Sequence, residues 1–457
     1  MKRWLVTAML LLLTLPGISH AGAKEDYEEA YNLAIMATAS VAAYSDGIGE
    51  TTTRYLEQNG WTIDRYTQAQ NQSGARFLLA QKNISPENTI YVLAIVGTEN
   101  KRDIKIDLKV DKVYFAGSTF EEFAANAALK DIPASQPKIH RGFHEFIQAG
   151  PTAKLSDASG ASLSLMDILK AHHDNKLYLT GHSLGGAAAI IAGARFIEMG
   201  LDPSQLEIIT FGSPAVGNAA FAEKFAPLLN VTRVVIDGDP VTGALQTLVG
   251  GYKQFGREIK WKLSDSAQGF HNMTGYVDIA LKNYYDKRKQ VYQADNQLPR
   301  HSATTLLAET TAPVTQNRVY IASLQNNLQS ALAADFPYMK EALLDEYRQA
   351  YPNSVVSEET TDENWQKQAV EAGCRWVIVP QVVSTQAPNQ RTTYRVTLQQ
   401  TVYETATGAV VDMAAFSTST SMLTPLEAFI HAFKGFRCDE DHWLRNSYNS
   451  AITIVTQ

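Results

Sequence analysis

Cysteine is scarce in this chain: its 457 residues include only Cys374 and Cys438. Two cysteines exclude a disulfide-dense scaffold, and neither belongs to a cluster with metal-ligand spacing. A disulfide between them and two buried free thiols both fit the sequence, because spacing alone does not decide. We expect no metal and no cofactor to be required.

Long apolar runs and an excess of positive charge are also missing. No segment approaches the ~20 consecutive apolar residues of a membrane-spanning helix. Lys and Arg total 40 against 47 Asp and Glu, a formal net charge of −7, so no basic field favours nucleic acid as a partner. The apolar content of 45% is that of a globular protein, and any lipid contact must come from an apolar surface.

The first residues, MKRWLVTAMLLLLTLPGISHAGA, have the pattern of a secretory signal. Lys2 and Arg3 precede a short apolar run, and a Pro-Gly break and small residues follow it. We therefore predict a signal peptide over residues 1–23 and a mature protein that is exported, either secreted or periplasmic.

Strands and helices alternate over most of the chain that follows. An amphipathic helix is predicted over residues 25–43 and two neighbouring strands over 75–81 and 89–96. A charged, alternating edge strand is predicted over 103–115 and a helix over 162–174. Further strands begin near residues 205 and 231, and helices follow them. This order predicts an α/β domain with a mostly parallel sheet over residues 24–295.

The stretch KLYLTGHSLGGAAAIIAGARF at 176–196 carries the strongest motif. A short apolar strand leads into G-x-S-x-G, and a helix of small apolar residues follows. This is the pattern of a nucleophile elbow, in which a tight turn exposes the Ser183 hydroxyl above the sheet. The helix directs its N–H groups back towards the serine.

An activated serine needs an imidazole to take its proton and a carboxylate to orient that imidazole. Asp239 follows the strand at 231–236, and Asp237, two residues earlier, is the alternative carboxylate. His271 begins the last helix of the domain. The order Ser183, Asp239, His271 is that of the α/β-hydrolase fold.

Two backbone N–H groups are predicted to stabilise an oxyanion. The first belongs to Leu184, the residue after the serine, and Thr98, where the strand at 89–96 runs into Gly-Thr, can supply the second. Taken alone, Gly97-Thr98 is more typical of an ordinary strand-to-loop exit. His182 is predicted to have a packing or positioning role and not that of the base.

Six segments together resemble the class 3 lipases, the fungal-lipase-like branch of α/β-hydrolases. They are GTENKRDIKID, HRGFHEF, YLTGHSLGGAAA, FGSPAVGN, RVVIDGDPV and HNMTGY, within residues 25–290. The resemblance implies Ser183 as nucleophile, Asp239 as orienting acid, His271 as base, and Thr98 and Leu184 as oxyanion donors.

Two departures from the family bear on the substrate. Ala215 stands where members often have Arg, and the charged segment after Gly97-Thr98 replaces an amphipathic lid. We expect a secreted serine hydrolase that cleaves acyl esters of glycerolipids, of triacylglycerol lipase type, with transient contact to a lipid surface. The alternatives are a phospholipase A acting on membranes and a non-catalytic binding protein on a hydrolase scaffold.

The remaining residues, 296–457, are predicted to form a smaller α+β domain with a helix near 338–351 and strands over CRWVIVPQVVS and TYRVTLQQTVYETATGAVVDMAAFST. Two segments, EAGCRWVIVPQV and ETATGAVV, resemble those of small periplasmic α+β modules. The cluster around His431 and residues 439–442 is interpreted as an acidic solvated loop and not a metal site. We expect this domain to bind or position, with an unknown partner.

Overall fold

The computed structural model describes most of the chain. The described residues are 17–44, 49, 52–53, 56–57, 60–67, 76–85, 87–97, 111–147, 154–156, 162–263, 269–295, 318–351, 354–357, 364–390 and 392–438.

The helices and strands are numbered in chain order. The helices are α1 (Gly17–Ala42), α2 (Phe120–Ala127), α3 (Arg141–Phe146), α4 (Leu165–Ala171), α5 (Leu184–Glu198), α6 (Ala219–Phe225), α7 (Pro240–Ala244), α8 (Met273–Asp295), α9 (Phe336–Ala350), α10 (Trp365–Glu371) and α11 (Pro425–Cys438). The strands are β1 (Thr62–Thr67), β2 (Arg76–Ser85), β3 (Asn88–Ile95), β4 (Lys112–Tyr114), β5 (Lys138–His140), β6 (Lys154–Ser156), β7 (Ser162–Ser164), β8 (Lys176–His182), β9 (Leu206–Phe211), β10 (Asn230–Ile236), β11 (Arg257–Trp261), β12 (Val319–Ile321), β13 (Gln325–Asn327), β14 (Val355–Val356), β15 (Trp376–Gln386), β16 (Tyr394–Glu404) and β17 (Val410–Ser419).

A seven-stranded sheet with the order β1-β2-β3-β8-β9-β10-β11 forms the centre of the first part of the chain. Strands β1, β2 and β3 pair antiparallel, and every later pairing in the sheet is parallel. The prediction of an α/β-hydrolase fold with a mostly parallel sheet is confirmed. The carboxyl ends of β8 and β10 lie at one edge, where ligand chemistry collects in such sheets.

Helix α1 packs on this sheet, but its predicted amphipathic character is wrong for its second half. Every residue from Leu33 to Ala43 is buried. The reason is that α1 lies between the sheet and α8, so both of its sides are covered. The helix begins at Gly17, so its first turns consist of residues from the predicted signal peptide. Within the described residues, no helix is long and apolar enough to cross a bilayer.

Two other predicted elements differ from the structure or lie outside it. The helix predicted over 162–174 is shorter, because Ser162–Ser164 pairs antiparallel with Lys154–Ser156 and Ser164 then caps α4. Most of the predicted charged edge strand, residues 103–110, lies outside the described residues, and of the rest Lys112–Tyr114 forms a strand, paired with β5.

The C-terminal part contains a second sheet with the order β14-β12-β15-β16-β17, and β13 also pairs with β15. The predicted strands are confirmed as β15, β16 and β17, which pair antiparallel, and the predicted helix as α9. Cys374 is a free, buried thiol. The side chain of Cys438 and residues 439–442 lie outside the described part of the chain.

The two parts share one hydrophobic core. This core includes residues of α1 and α8 together with residues of the second sheet, α9 and α11. Lys282 of α8 forms a buried ion pair at this junction, with its Nζ 2.7 Å from Asp278 Oδ2 and 2.6 Å from Asp335 Oδ1. The C-terminal part is therefore packed directly on α8.

The HRGFHEF motif forms α3 and supports the helix behind the predicted nucleophile. His144 Nδ1 lies 3.1 Å from NH2 of Arg195, a buried residue of α5. The guanidinium can only donate, so His144 Nδ1 must accept and the imidazole is neutral. Burial, with the Arg195 charge as the second cause, lowers the pKa of His144 to about 4.

We expect His144→Gln to reduce the acid sensitivity of the fold. Between pH 6.5 and the lowered folded pKa, the unfolded chain binds the proton and the folded chain does not, so stability falls as pH falls. The free energy of unfolding of the wild type should fall by about 2 kcal/mol more than that of the variant between pH 7 and pH 5. Urea unfolding at both pH values measures this difference, and equal losses in both proteins would contradict it.

Candidate active site

The G-x-S-x-G motif forms a sharp turn between β8 and α5. Ser183 has a φ of 57°, a conformation that side-chain-bearing residues rarely adopt. Gly185 lies so close to β3 that a Cβ atom there would come within 2.1 Å of the Ile95 carbonyl oxygen. Only glycine fits this position, and the close approach fixes the start of α5 against the strand.

Ser183, His271 and Asp239 are brought together at the carboxyl ends of β8 and β10. His271 Nε2 lies 2.8 Å from Ser183 Oγ. His271 Nδ1 lies 2.9 Å from Asp239 Oδ1 and 2.8 Å from Oδ2. With the ring proton on Nδ1, donated to the carboxylate, Nε2 is left as an acceptor for the serine hydroxyl.

The Asp239 carboxylate is held by two further donors. Its Oδ1 accepts from the Val241 N–H at 2.9 Å, because Asp239 is the N-cap of α7. Its Oδ2 accepts from the Tyr276 hydroxyl at 2.7 Å, and the side chain has 0% of its surface exposed. The carboxylate can therefore hold the imidazole in one orientation.

The alternative carboxylate, Asp237, is not part of this arrangement. Its side chain is 62% exposed and lies 3.8 Å from Lys260 Nζ, a loose surface ion pair. Its backbone N–H donates to the Trp261 carbonyl, which continues the pairing with β11 and keeps it in register with the sheet. Two residues later the chain has turned, and Asp239 faces His271.

Tyr276 was given no role from the sequence, although it lies in the HNMTGY segment. An aromatic residue at helical spacing is typical of a core position, and nothing in the sequence indicates its hydroxyl contact with Asp239. The only feature of the sequence that could have indicated this contact is the position of Tyr276 in the segment that begins with His271.

His182 lies beside the serine and packs against the imidazole of His271, with ring centroids 4.6 Å apart. Its Nδ1 lies 3.5 Å from the Tyr44 hydroxyl. Burial, and next the nearby His271, lower the pKa of His182 well below its ordinary value. The neutral His182 ring therefore packs beside the triad of Ser183, His271 and Asp239 without adding charge.

One of the two predicted oxyanion donors is described. Leu184 is the first residue of α5, where backbone N–H groups have no acceptor within the helix. Thr98 lies outside the described residues. Its neighbour Gly97 lies against the elbow, because a Cβ on Gly185 would be 3.0 Å from the Gly97 nitrogen.

This constellation can transfer a proton from a serine to an imidazole that a buried carboxylate orients. Within the described residues, no group of three or more His, Cys, Asp or Glu side chains is placed to hold a metal ion.

Residues 92–247 match the family model of Lipase (class 3). This segment is similar to the class 3 lipases. It includes β3, the elbow and Asp239, whereas His271 follows it in the chain. The family assignment made from the six sequence segments is confirmed.

Several curated proteins are similar to the class 3 lipase segment. Toxin TseL of Vibrio cholerae serotype O1 is 29% identical over 164 residues, which are 35% of this chain and 21% of the toxin. The lipase of Rhizomucor miehei is 34% identical over 115 residues, 24% of this chain and 30% of that lipase. Phospholipase A1-II 1 of Oryza sativa subsp. indica is 30% identical over 144 residues, 30% of this chain and 36% of that phospholipase.

The matched region thus spans between 21% and 36% of the length of these three relatives. Among solved structures, the lipase of Rhizopus microsporus var. chinensis is similar over 54% of this chain and 77% of its own, with 22% identity and a TM-score of 0.37.

Proposed function

We propose that this protein is a serine ester hydrolase in which Ser183 is the nucleophile, His271 the general base and Asp239 the acid that orients it. The observation that carries the proposal is the pair of contacts made by His271, to Ser183 Oγ at 2.8 Å and to both Asp239 oxygens. The strained backbone at Ser183 supports it, since such strain collects at functional sites.

The proposed reaction has two steps. Ser183 Oγ attacks the ester carbonyl carbon while His271 Nε2 takes the hydroxyl proton, and the imidazolium then gives that proton to the leaving alkoxide. The alcohol departs and an acyl-serine ester remains. A water molecule attacks that ester with His271 again as base, which releases the fatty acid and restores the Ser183 hydroxyl.

We propose Leu184 and Thr98 as the donors to the oxyanion that forms in each step. The position of Leu184 at the start of α5 supports the first, because helix N-termini favour negative charge. The contact between the backbones of Gly97 and Gly185 supports the second, since it brings the chain that leads to Thr98 next to the elbow.

The proposed substrates are glycerolipids. The relatives include proteins named as lipases and as phospholipases A1, so both triacylglycerols and phospholipids are candidates. Phospholipase A action on membranes is the second candidate because one of the three similar proteins above is named as a phospholipase A1. A non-catalytic binding role is disfavoured by the assembled Ser183, His271 and Asp239.

We also propose export through a signal peptide over residues 1–23 and a division into a hydrolase domain over 24–295 and an accessory domain over 296–457. The N-terminal sequence pattern supports export. The separate second sheet, formed by strands between Val319 and Ser419, supports the division.

Release of fatty acid distinguishes the two substrate classes. The mature protein and Ser183→Ala are assayed side by side on triacylglycerol emulsions and on phospholipid vesicles. Activity on vesicles that Ser183→Ala lacks would establish a phospholipase, and activity on emulsions alone a lipase. Absence of Ser183-dependent release from both, and from short p-nitrophenyl esters, would overturn the proposed function.

Phe270 is expected to contact the lipid surface. Its side chain directly precedes His271, packs over Gly238 and is 49% exposed. Transferring this ring into lipid contributes about 1–2 kcal/mol, so Phe270→Ser should lower activity on vesicles or emulsions roughly tenfold. Activity on a soluble short-chain ester should change less than about twofold.

The matched control is Val370→Ser, which removes an exposed apolar side chain from α10 in the C-terminal part. It should leave both activities unchanged. An equal fall on soluble and aggregated substrates in Phe270→Ser would show that the ring acts on the triad and not on lipid.

A further inference from the structure

The hydroxyl of Tyr276 makes two hydrogen bonds, one as donor and one as acceptor. Tyr276 is fully buried, donates to Asp239 Oδ2 at 2.7 Å and accepts from the Ile236 N–H at 3.1 Å. The N–H of Ile236 belongs to β10, the strand that delivers Asp239. The tyrosine therefore ties the carboxylate to the end of its own strand.

Gly212 leaves room for the hydrogen bond between Tyr276 and Asp239. Gly212 follows β9 with a φ of +57°, and a Cβ there would lie 2.8 Å from Asp239 Oδ2 and 3.0 Å from the Tyr276 oxygen. A side chain at this position would push the two groups apart. Gly212 thus keeps space for a direct hydrogen bond between them.

Tyr276 belongs to the first turn of helix α8, and the packing of that helix fixes its position. The Tyr276 ring packs edge-on against Phe211, with centroids 5.9 Å apart. Two residues further along the helix, Asp278 pairs with Lys282, which also binds Asp335 of the C-terminal part. The start of α8 is anchored by apolar packing and by a buried ion pair, so the hydroxyl has little freedom to move.

We propose that Tyr276 is a positioning residue for the hydrolysis reaction, whose hydroxyl keeps both oxygens of Asp239 directed at His271 Nδ1. This inference rests on the proposed function of the triad. Without the hydroxyl, the donors to the Asp239 carboxylate among the described residues would be the Val241 N–H and the imidazole. The carboxylate would then rotate more freely and hold His271 in the productive orientation for less of the time.

The donor stays protonated across the working range of pH. Burial, and next the Asp239 charge, raise the pKa of Tyr276 above its ordinary value. Besides Asp239 and Ser183, the titratable side chain that packs against His271 within the described part of the chain is His182 of β8. Tyr276 itself faces Asp239 from α8, and Asp237 with Lys260 lies on the exposed side of β11.

The test compares Tyr276→Phe with the wild type and with Tyr285→Phe. Tyr285 is a buried tyrosine of the same helix, nine residues and about 13 Å further along it. The rates are measured with a short-chain p-nitrophenyl ester across pH 5 to 9, and folding is followed by thermal unfolding.

We expect kcat in Tyr276→Phe to fall about ten- to hundredfold, the range for losing a hydrogen bond to a charged group, with KM changed less than about twofold. The acid limb of kcat/KM should move to higher pH by roughly 0.5 units, because a carboxylate that has lost a donor attracts the imidazolium proton more strongly. Tyr285→Phe should leave both quantities unchanged. A structural role alone would lower thermal stability without moving the acid limb.

A second readout does not depend on turnover. The proton shared by His271 Nδ1 and Asp239 is observed by NMR as a far-downfield resonance, and in Tyr276→Phe it should broaden as the carboxylate gains freedom. A kcat within twofold of wild type, an unmoved acid limb or an unchanged resonance in a folded Tyr276→Phe would overturn the inference. A wild type without Ser183-dependent hydrolysis would overturn the proposed function instead, while the resonance still tests the role of Tyr276.

Discussion

Ser183→Ala should abolish ester hydrolysis, with kcat lowered by about 10⁵- to 10⁶-fold. The reason is that no other side chain replaces the Oγ atom that lies 2.8 Å from His271 Nε2. The backbone at Ser183 is strained in both proteins, because alanine meets the same restriction at positive φ. The variant should therefore fold as the wild type does, with a melting temperature within a few degrees.

The measurement is release of p-nitrophenol by the two proteins at equal concentration, with far-UV circular dichroism as the check on folding. A folded Ser183→Ala that retains more than about 1% of wild-type kcat would mean that another group is the nucleophile.

Asp239→Asn should be the second most damaging substitution, with kcat lowered about 10⁴-fold. An amide at this position no longer accepts the His271 Nδ1 proton as a carboxylate does, so the imidazole takes the tautomer whose Nε2 carries the proton. Such a ring cannot take the proton of Ser183. The amide oxygen can still accept from the Val241 N–H, and the amide NH2 can donate to the Tyr276 oxygen, so the variant should fold.

The matched control for this substitution is Asp237→Asn, the same chemical change two residues away. Asp237 is exposed and its ion pair with Lys260 is loose, so the change should leave kcat within about twofold and the stability within about 0.5 kcal/mol. The opposite ranking of the two variants would show that the structure assigns the wrong carboxylate.

The parts of the site that follow from local sequence were predicted. The elbow depends in part on residues adjacent in the chain, because a Cβ on Gly181 would lie 2.5 Å from the carbonyl carbon of Gly185 within the same motif. The alternation of strands and helices likewise predicted the parallel sheet. The choice between Asp237 and Asp239 was not fixed by these patterns, since both follow the same strand.

The features that were missed depend on contacts between distant residues. The contact of Tyr276 with Asp239 requires the start of α8 to lie beside the end of β10, which no local pattern specifies. The second half of α1 is buried on all sides because α8 covers it. No pattern within the α1 sequence indicates that α8 packs there. The second sheet was predicted strand by strand, but the core that it shares with α1 and α8 was not.

The central claim is that Ser183 is a nucleophile activated by His271 and Asp239, and covalent labelling with a fluorophosphonate tests it most directly. The probe reacts with an activated serine without requiring the natural substrate, and peptide mass spectrometry then locates the modified residue. We predict one label per chain, on Ser183, with much slower labelling in Asp239→Asn. Labelling of Ser183→Ala at the same rate as the wild type, or no labelling of the folded wild type, would contradict the account.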